Sequence, residues 1–328
     1  MRIVVIGLGA VGARPARQLA STDGVEAVLL RDERPERLEE VASSLGPVAI
    51  AEPAAITAPP EADAVVLAVP SGTHAALAGE LVDRDVPVVS ASDAMVDTRA
   101  LLDLGPVAKA RGVPLVVGAA FSPGLTCVLA RHAAADLDRV DEVHVARLGT
   151  GGPACARQHH RALAGTALDW RDGGWLQRQG GSGRELCWFP DPVGAADCYR
   201  AALPDALLLV QAFPGVERVT ARLAATRRDR FTARLPMLRK PHPEGAVGAI
   251  RVEVRGRRGS RRETRVLGAM DRPAVAAGAV AAVAAVAAAR GELRGAGAAG
   301  LAELVDAIPF LGELARRGVK AAVFEGTN

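Results

Sequence analysis

The chain has 328 residues, 49% of them hydrophobic and 23% charged; at roughly 150 residues per domain that suggests about two domains, and it excludes intrinsic disorder. A net charge of +3 carries no field for nucleic acid, and only Lys109, Lys240 and Lys320 among the 40 basic residues are lysines, so the arginine count is weak evidence for an anionic partner. Cys127, Cys155, Cys187 and Cys198 are irregularly spaced and no basic-then-apolar leader precedes Ile3-Val4-Val5-Ile6, which points to a soluble, unexported chain in a reducing cytoplasm.

Residues 2–6 read as a strand buried on both faces, followed by a helix over about 13–21. Further strands are expected at 25–30, 64–69, 86–90 and 114–118, with helices at 35–45, 74–83 and 98–111. This alternation predicts an α/β fold with a doubly wound parallel sheet and right-handed crossovers. Beyond Ser122 the texture changes to glycine-rich turns and strand-like stretches at 142–148 and 216–223. Ile250-Arg251-Val252-Glu253-Val254 alternates apolar and charged residues and turns back at 256–260 toward 264–267. That pattern fits an antiparallel, half-exposed sheet in a second, mixed α+β domain. An alanine-rich helix over 273–290 ends at Arg290; alanine supplies little transfer energy, so a buried helix is expected there and no membrane span. One or two more helices follow at 301–317. The expected organisation is a first domain at 1–124, a second at 125–268 and C-terminal helices at 269–328.

The strongest chemical signal is Gly7-x-Gly9-x-x-Gly12, after a buried strand and opening a helix, with Asp32 twenty residues past Gly12. In that context Gly7 permits a tight turn, Gly9 admits a pyrophosphate and Gly12 lets helix and strand pack closely. The loop residues Ala10 and Val11 then lie at a helix N-terminus that favours phosphate. The spacing therefore predicts dinucleotide binding in a Rossmann domain. Asp32 would take the ribose hydroxyls of NAD, while Arg31 and Arg34 can hold the 2′-phosphate of NADP, so both cofactors stay open. A second copy of the pattern, at Gly295, Gly297 and Gly300, follows a helix and is expected to be a loop. Two more loops fall at the carboxyl ends of strands, where open α/β sheets bind ligands. They supply Val69, Pro70, Ser71 and His74, and Ser122, Pro123 and Gly124, as cofactor-binding candidates. His74 reads more simply as a helix start. Pro123, which has no N–H for an oxyanion hole, argues against hydrolase chemistry at Ser122.

The fingerprint, Ala68-Val69-Pro70, Phe121-Ser122-Pro123-Gly124-Leu125 and the later Phe189-Pro190-Asp191-Pro192-Val193-Gly194 resemble the saccharopine dehydrogenase-like (saccharopine reductase) family. The resemblance implies a Rossmann domain, an inserted α/β domain and C-terminal helices returning to the first. It also implies hydride transfer between NAD(P) and the imine or amine of an amino-acid conjugate. Sugar oxidoreductases of the glucose–fructose type share that architecture. Their Glu-Lys-Pro motif is missing here, with Ser90-Ala91-Ser92 at the corresponding place, which weighs against sugar oxidation.

The second domain holds one dense polar cluster, Cys155 to Arg161, with two histidines, two arginines and a cysteine in seven residues. If it faces the nicotinamide, Arg157 can clamp a substrate carboxylate and His159 or His160 can exchange the amine proton. Adjacent helical residues point about 100° apart, so one histidine at most serves the site. Cys155, Arg157, His159 and His160 are thus the catalytic candidates. Cys155 and His159 lie i, i+4 and could share a metal, but nothing nearby supplies further ligands, so no metal is expected. The arginine-dense stretch 251–265 reads as a solvated hairpin, and Trp170, Trp175 and Trp188 as packing residues. An exposed sheet face favours a homodimer. The reading is a NAD(P)-dependent oxidoreductase acting on a small amino-acid-like molecule. The alternatives are a sugar or cyclitol dehydrogenase, or a non-catalytic dinucleotide-binding sensor or scaffold.

Overall fold

The computed structural model describes residues 1–53, 61–237 and 240–323. The first segment alternates strands and helices: β1 (Arg2–Ile6), α1 (Ala13–Ala20), β2 (Ala27–Arg31), α2 (Pro35–Leu45), β3 (Ala49–Ala51), β4 (Ala64–Leu67), α3 (His74–Val82), β5 (Val88–Ser90), α4 (Met95–Asp103), α5 (Gly105–Ala110) and β6 (Pro114–Val116). Ile3 to Ile6, Val28 to Leu30 and Ala64 to Leu67 are almost wholly buried, because helices cover both faces of the sheet. The single helix expected over 98–111 is two. Gly105 and Pro106 open α5, and proline belongs in a first turn, where its missing N–H costs nothing.

The middle of the chain begins with α6 (Leu125–Ala133), β7 (Arg139–Leu148) and α7 (Pro153–Ala162). Then follow β8 (Thr166–Arg171), β9 (Gly174–Gln179), β10 (Glu185–Trp188), β11 (Ala195–Arg200), α8 (Asp205–Ala212), β12 (Arg218–Ala224) and α9 (Arg227–Thr232). The long hairpin β13 (Gly248–Arg258) and β14 (Arg261–Asp271) completes this part. The chain ends with α10 (Pro273–Ala289), β15 (Gly297–Ala299), α11 (Leu301–Leu304), α12 (Ala307–Arg316) and β16 (Ala321–Val323).

Two sheets result. The first runs β15-β6-β5-β4-β1-β2-β3, and all its pairs are parallel. Its outer strand β15 is the second glycine pattern, expected to be a loop; Gly297, Ala298 and Ala299 pair with Pro114, Leu115 and Val116. Three small residues carry no hydrophobic period, so only the open edge of β6 reveals this strand. The second sheet runs β10-β11-β12-β7-β13-β14-β16, with β8 and β9 attached to β12. It is mixed rather than uniformly antiparallel, because β12 pairs with β7 in parallel.

The alanine-rich α10 has 17 residues and is buried nearly all round. It lies on α1 so closely that a Cβ at Gly278 would sit 2.3 Å from the Cβ of Arg14. Among the described residues no helix is long and apolar enough to cross a membrane. Of the tryptophans, Trp170 donates to the Val216 carbonyl at 2.9 Å and meets Trp175 edge-on at 5.0 Å. Trp188 does not pack as expected: it is 62% exposed on the edge strand β10.

Candidate active site

The loops after β1, β4, β5 and β6 meet at the carboxyl edge of the first sheet. Gly7 turns there at φ 89°. A Cβ on Gly12 would sit 1.8 Å from the Gly7 carbonyl oxygen, whereas one on Gly9 would meet nothing within 4 Å. Two of the three glycines are thus consumed by close packing, and the third leaves open space where a phosphate can approach the backbone. The residues fit a dinucleotide.

Asp32 follows β2. Its Oδ2 accepts from the Leu8 N–H at 2.7 Å, and its Oδ1 from the Arg34 N–H at 3.0 Å and Arg34 Nε at 2.9 Å. Partial burial alone would raise the Asp32 carboxyl, but Arg34 and the Leu8 amide hold it below its ordinary value. Arg34 stays mostly exposed beside it. Arg31 requires a correction: its buried guanidinium donates to Glu52 Oε2 through Nε (3.1 Å) and Nη2 (2.8 Å). As the last residue of a buried strand it turns to the face opposite its neighbour's, so it is structural and not a phosphate ligand.

Val69 is half-buried, while Pro70 and Ser71 are exposed on the loop after β4. His74, at the start of α3, is buried and fully used. Its Nε2 faces the Val69 carbonyl at 3.0 Å, so Nε2 carries the proton and Nδ1 accepts from Ser90 Oγ at 2.9 Å. Burial lowers its pKa. It ties the loop to β5 and offers no nitrogen to a cofactor. Asp97 does similar work that the sequence did not signal, accepting from the Gly72 N–H at 2.8 Å and Ser92 Oγ at 2.6 Å.

The loop at 120–125 lies inside the protein. Ser122 and Thr126 donate to Asp205 Oδ1 at 2.8 and 2.7 Å, and the Ser122 carbonyl accepts from Arg147 Nη1 at 2.5 Å. The Ser122–Pro123 bond is cis, and a Cβ on Gly124 would collide with the Ala120 carbonyl oxygen at 2.2 Å. Ser122, Pro123 and Gly124 therefore pack the support beneath the edge and do not line it. Burial pushes the Asp205 carboxyl above its ordinary value, and its Oδ2 has no hydrogen-bond partner among the described residues.

The second sheet delivers its residues against this edge. Gly152 and Pro153 open α7, and a Cβ on Gly151 or Gly152 would lie 3.4 Å from Val11 Cγ2 or 2.7 Å from Ala10 Cβ. The helix thus starts on the glycine-rich loop. One turn on, its inner face meets Asp93, which follows β5. Asp93 Oδ2 accepts from His159 Nε2 at 2.8 Å, from Arg147 Nη1 at 3.2 Å and from the Cys155 thiol at 3.5 Å. Oδ1 accepts from Gln158 Nε2 at 2.8 Å. Burial alone would raise the Asp93 carboxyl, but His159 and Arg147 hold it far below the carboxylate range. His159 is pushed down by burial and by Arg147, so it is neutral at pH 7 beside an ionised Asp93. Burial and the nearby Asp93 charge push the Cys155 thiol up to about 12.

Of the four helical candidates, the structure brings Cys155 and His159 into this cluster. Arg157 is exposed on the opposite face, and His160, also buried, faces the Thr232 and Leu235 carbonyls at 2.9 and 3.1 Å. Their displacement follows from the 100° step per residue. Asp93 and Arg147 were missed by sequence reasoning. Asp93 stands just past a strand at the sheet's carboxyl edge, and Arg147 is the charged exception on the apolar face of β7; both are legible signals afterwards. A separate cleft of about 760 Å³, lined by residues of α1, α10 and α12 such as Gln18, Val286 and Glu313, contains none of these groups.

Residues 1–117 match the model of the oxidoreductase family with a NAD-binding Rossmann fold. The first third of the chain has a Rossmann-like fold. An inositol 2-dehydrogenase of Mycolicibacterium gilvum is 32% identical over 118 residues, 35% of this chain and 34% of that one. The myo-inositol dehydrogenase Hyg17 of Streptomyces leeuwenhoekii is 27% identical over 203 residues, 60% of this chain and 61% of that one. The chain thus spans between one third and three fifths of these relatives' lengths. In structure, a saccharopine dehydrogenase (L-Glu forming) of Saccharomyces cerevisiae aligns over 99% of this chain and all of that one, with a TM-score of 0.70 at 16% identity. That likeness shows a shared fold. The specific saccharopine kinship expected from the motifs does not extend to the sequence relatives, which are named as inositol dehydrogenases.

Proposed function

We propose that the chain is a NAD(P)-dependent dehydrogenase that acts on a hydroxyl or carbonyl of a small polyhydroxylated molecule, a cyclitol or sugar. The observation that carries this reading is the Asp93–His159 pair, 2.8 Å apart, joining the carboxyl edge of the first sheet to the helix that starts on the glycine loop. The names of the sequence relatives favour a polyol over the amino-acid-like substrate. Of the arginines near the cluster, Arg157 and Arg161 are exposed, while buried Arg147 gives its Nη1 to Asp93 and the Ser122 carbonyl and keeps an Nε without a partner among the described residues.

A bound nicotinamide supplies hydride transfer at the substrate carbon. Gly9 leaves room for the pyrophosphate, and Asp32 is the ribose partner at the end of β2. With Nε2 donating to Asp93, His159 Nδ1 holds the lone pair that takes the hydroxyl proton, and the ionised carboxylate stabilises the imidazolium formed. Arg147 and Gln158 fix the carboxylate so that His159 keeps one orientation. The experiment is separate titration of NADH and NADPH, read by protein-to-nicotinamide fluorescence transfer, followed by a polyol panel scored by nicotinamide absorbance. Binding of either cofactor with turnover of a polyol is expected. Binding of neither by a folded sample overturns the proposal, and turnover confined to amino acids overturns its substrate class.

A further inference from the structure

We propose that Asp93, Cys155 and His159 form a binding site for one divalent cation of the zinc class. Read along the chain, Cys155 and His159 were a pair without further ligands. The fold supplies the third from 62 residues away, and their three donor atoms lie within 4.8 Å of one another.

The edges of that triangle carry the inference. Cys155 Sγ is 3.4 Å from His159 Nε2 and 3.5 Å from Asp93 Oδ2, and Nε2 is 2.8 Å from Oδ2. Tetrahedral zinc, with bonds of about 2.3 Å to sulfur and 2.0–2.1 Å to nitrogen and oxygen, places its ligands about 3.5 Å apart across S···N and S···O and about 3.3 Å across N···O. Two edges therefore already agree, and the third opens by about half an ångström when an ion replaces the shared proton. The donor set is one soft and two borderline or hard ligands, which suits zinc and cobalt over magnesium or calcium. Two of the three ligands are fixed i, i+4 on one helix. The third is held from behind, with Gln158 on Oδ1 at 2.8 Å and Arg147 on Oδ2 at 3.2 Å, as outer partners hold ligating carboxylates. Three protein ligands leave one tetrahedral position open, the arrangement of catalytic rather than structural zinc.

Thiolate and carboxylate together offset the ion's two charges, so the adjacent Arg147 weakens binding without forbidding it. The ion would take the His159 Nε2 and Asp93 Oδ2 that form the hydrogen bond used in the function proposed above, which leaves the ring proton on Nδ1, so ion binding and base catalysis by His159 exclude each other. The ion's binding does not rest on that function.

The test uses the full chain, freed of metal with a chelator and titrated with Co²⁺ as a spectroscopic stand-in for Zn²⁺. One Co²⁺ per chain, a thiolate-to-cobalt band in the near ultraviolet and displacement by Zn²⁺ are expected. The band should vanish in Cys155→Ser and persist in Cys187→Ser. His159→Gln should weaken binding about tenfold or more. Cys155→Asp should keep stoichiometric binding without the band. Circular dichroism and NADH titration of each variant establish folding and cofactor binding without using activity. Absence of stoichiometric cobalt binding in a chain that still binds NADH overturns the metal site and leaves the dehydrogenase reading intact. A band that survives Cys155→Ser overturns it equally.

Discussion

Replacing Asp93 with asparagine keeps shape and volume and removes one negative charge from a cluster whose other members stay in place. In the parent, that charge faces the His159 ring across 2.8 Å, and its side chain is only 14% exposed. When His159 takes the substrate proton, the attraction between imidazolium and carboxylate is worth about 3–4 kcal/mol at an effective dielectric near 20. The amide oxygen of asparagine retains part of this as an ordinary hydrogen bond. A loss of about 2–3 kcal/mol in the chemical step follows, or roughly 30- to 150-fold in kcat. Arg147, nearly buried, also loses its ion pair but keeps the Ser122 carbonyl, so stability should fall as well. The two losses separate by assay: kcat by nicotinamide absorbance under saturating substrate, stability by denaturant unfolding, and cofactor affinity by fluorescence. The NADH dissociation constant should change less than about threefold, because the glycine loop is untouched. Turnover by Asp93→Asn within threefold of the parent would mean that the proton is handled elsewhere.

The remaining expectations follow from the same geometry. His159 is held below the ordinary imidazole value by burial and Arg147, so the acid limb of kcat/KM for oxidation should lie below about pH 6.5; a limb at or above that value contradicts a buried neutral base. Gly9→Val should leave thermal stability nearly unchanged, since its Cβ meets nothing within 4 Å, whereas Gly12→Ala forces a Cβ into the Gly7 carbonyl; cofactor titration of the folded Gly9→Val protein should show at least a tenfold loss, and undiminished affinity would place the phosphates elsewhere. Asp32 carries its charge where a 2′-phosphate would sit, so Asp32→Ser should shift relative affinity from NADH toward NADPH in paired titrations; an unchanged ratio removes Asp32 from the ribose site. Asp205 has a raised folded-state value, so its contribution is fully present below the unfolded carboxylate value near 3.9 and declines as pH rises through the folded value. Chemical denaturation from pH 4 to 8 should show that decline in the parent and not in Asp205→Asn, while Asp205→Ala, which strips the acceptor from two buried hydroxyls, should cost about 2 kcal/mol or more at every pH.

The elements that could be read from sequence were those whose own residues carry the signal. β1 and α2 stand at the expected residues, because a buried parallel strand needs an uninterrupted apolar run and α2 has Pro35 at its start. β15 could not be read, because Gly297-Ala298-Ala299 is a strand only by virtue of the edge that β6 leaves open. The parallel pairing of β12 with β7 was equally hidden. Alternation along a strand specifies which face is buried and says nothing of the neighbour's direction.

The site divides along the same line. The glycine fingerprint and Asp32 are legible because one strand–turn–helix and the end of the next strand form them, so every requirement falls within about thirty consecutive residues. The candidate cluster is assembled across a seam. Its helix was visible as a dense polar stretch, yet the sequence offered four candidates where helical geometry can turn only one face inward. What selects Cys155 and His159 over Arg157 and His160 is the position of Asp93, and Asp93 is placed by the end of β5, not by anything in α7. Arg147 then follows from electrostatics: a buried carboxylate beside a neutral histidine needs a cation within reach, and β7 carries one on its inward face. The chemistry of the second half of the site is therefore written in contacts between the two sheets, which is why Ser122, Pro123 and Gly124, conspicuous as a motif, form the platform beneath it, while a single aspartate with no motif at all stands at its centre.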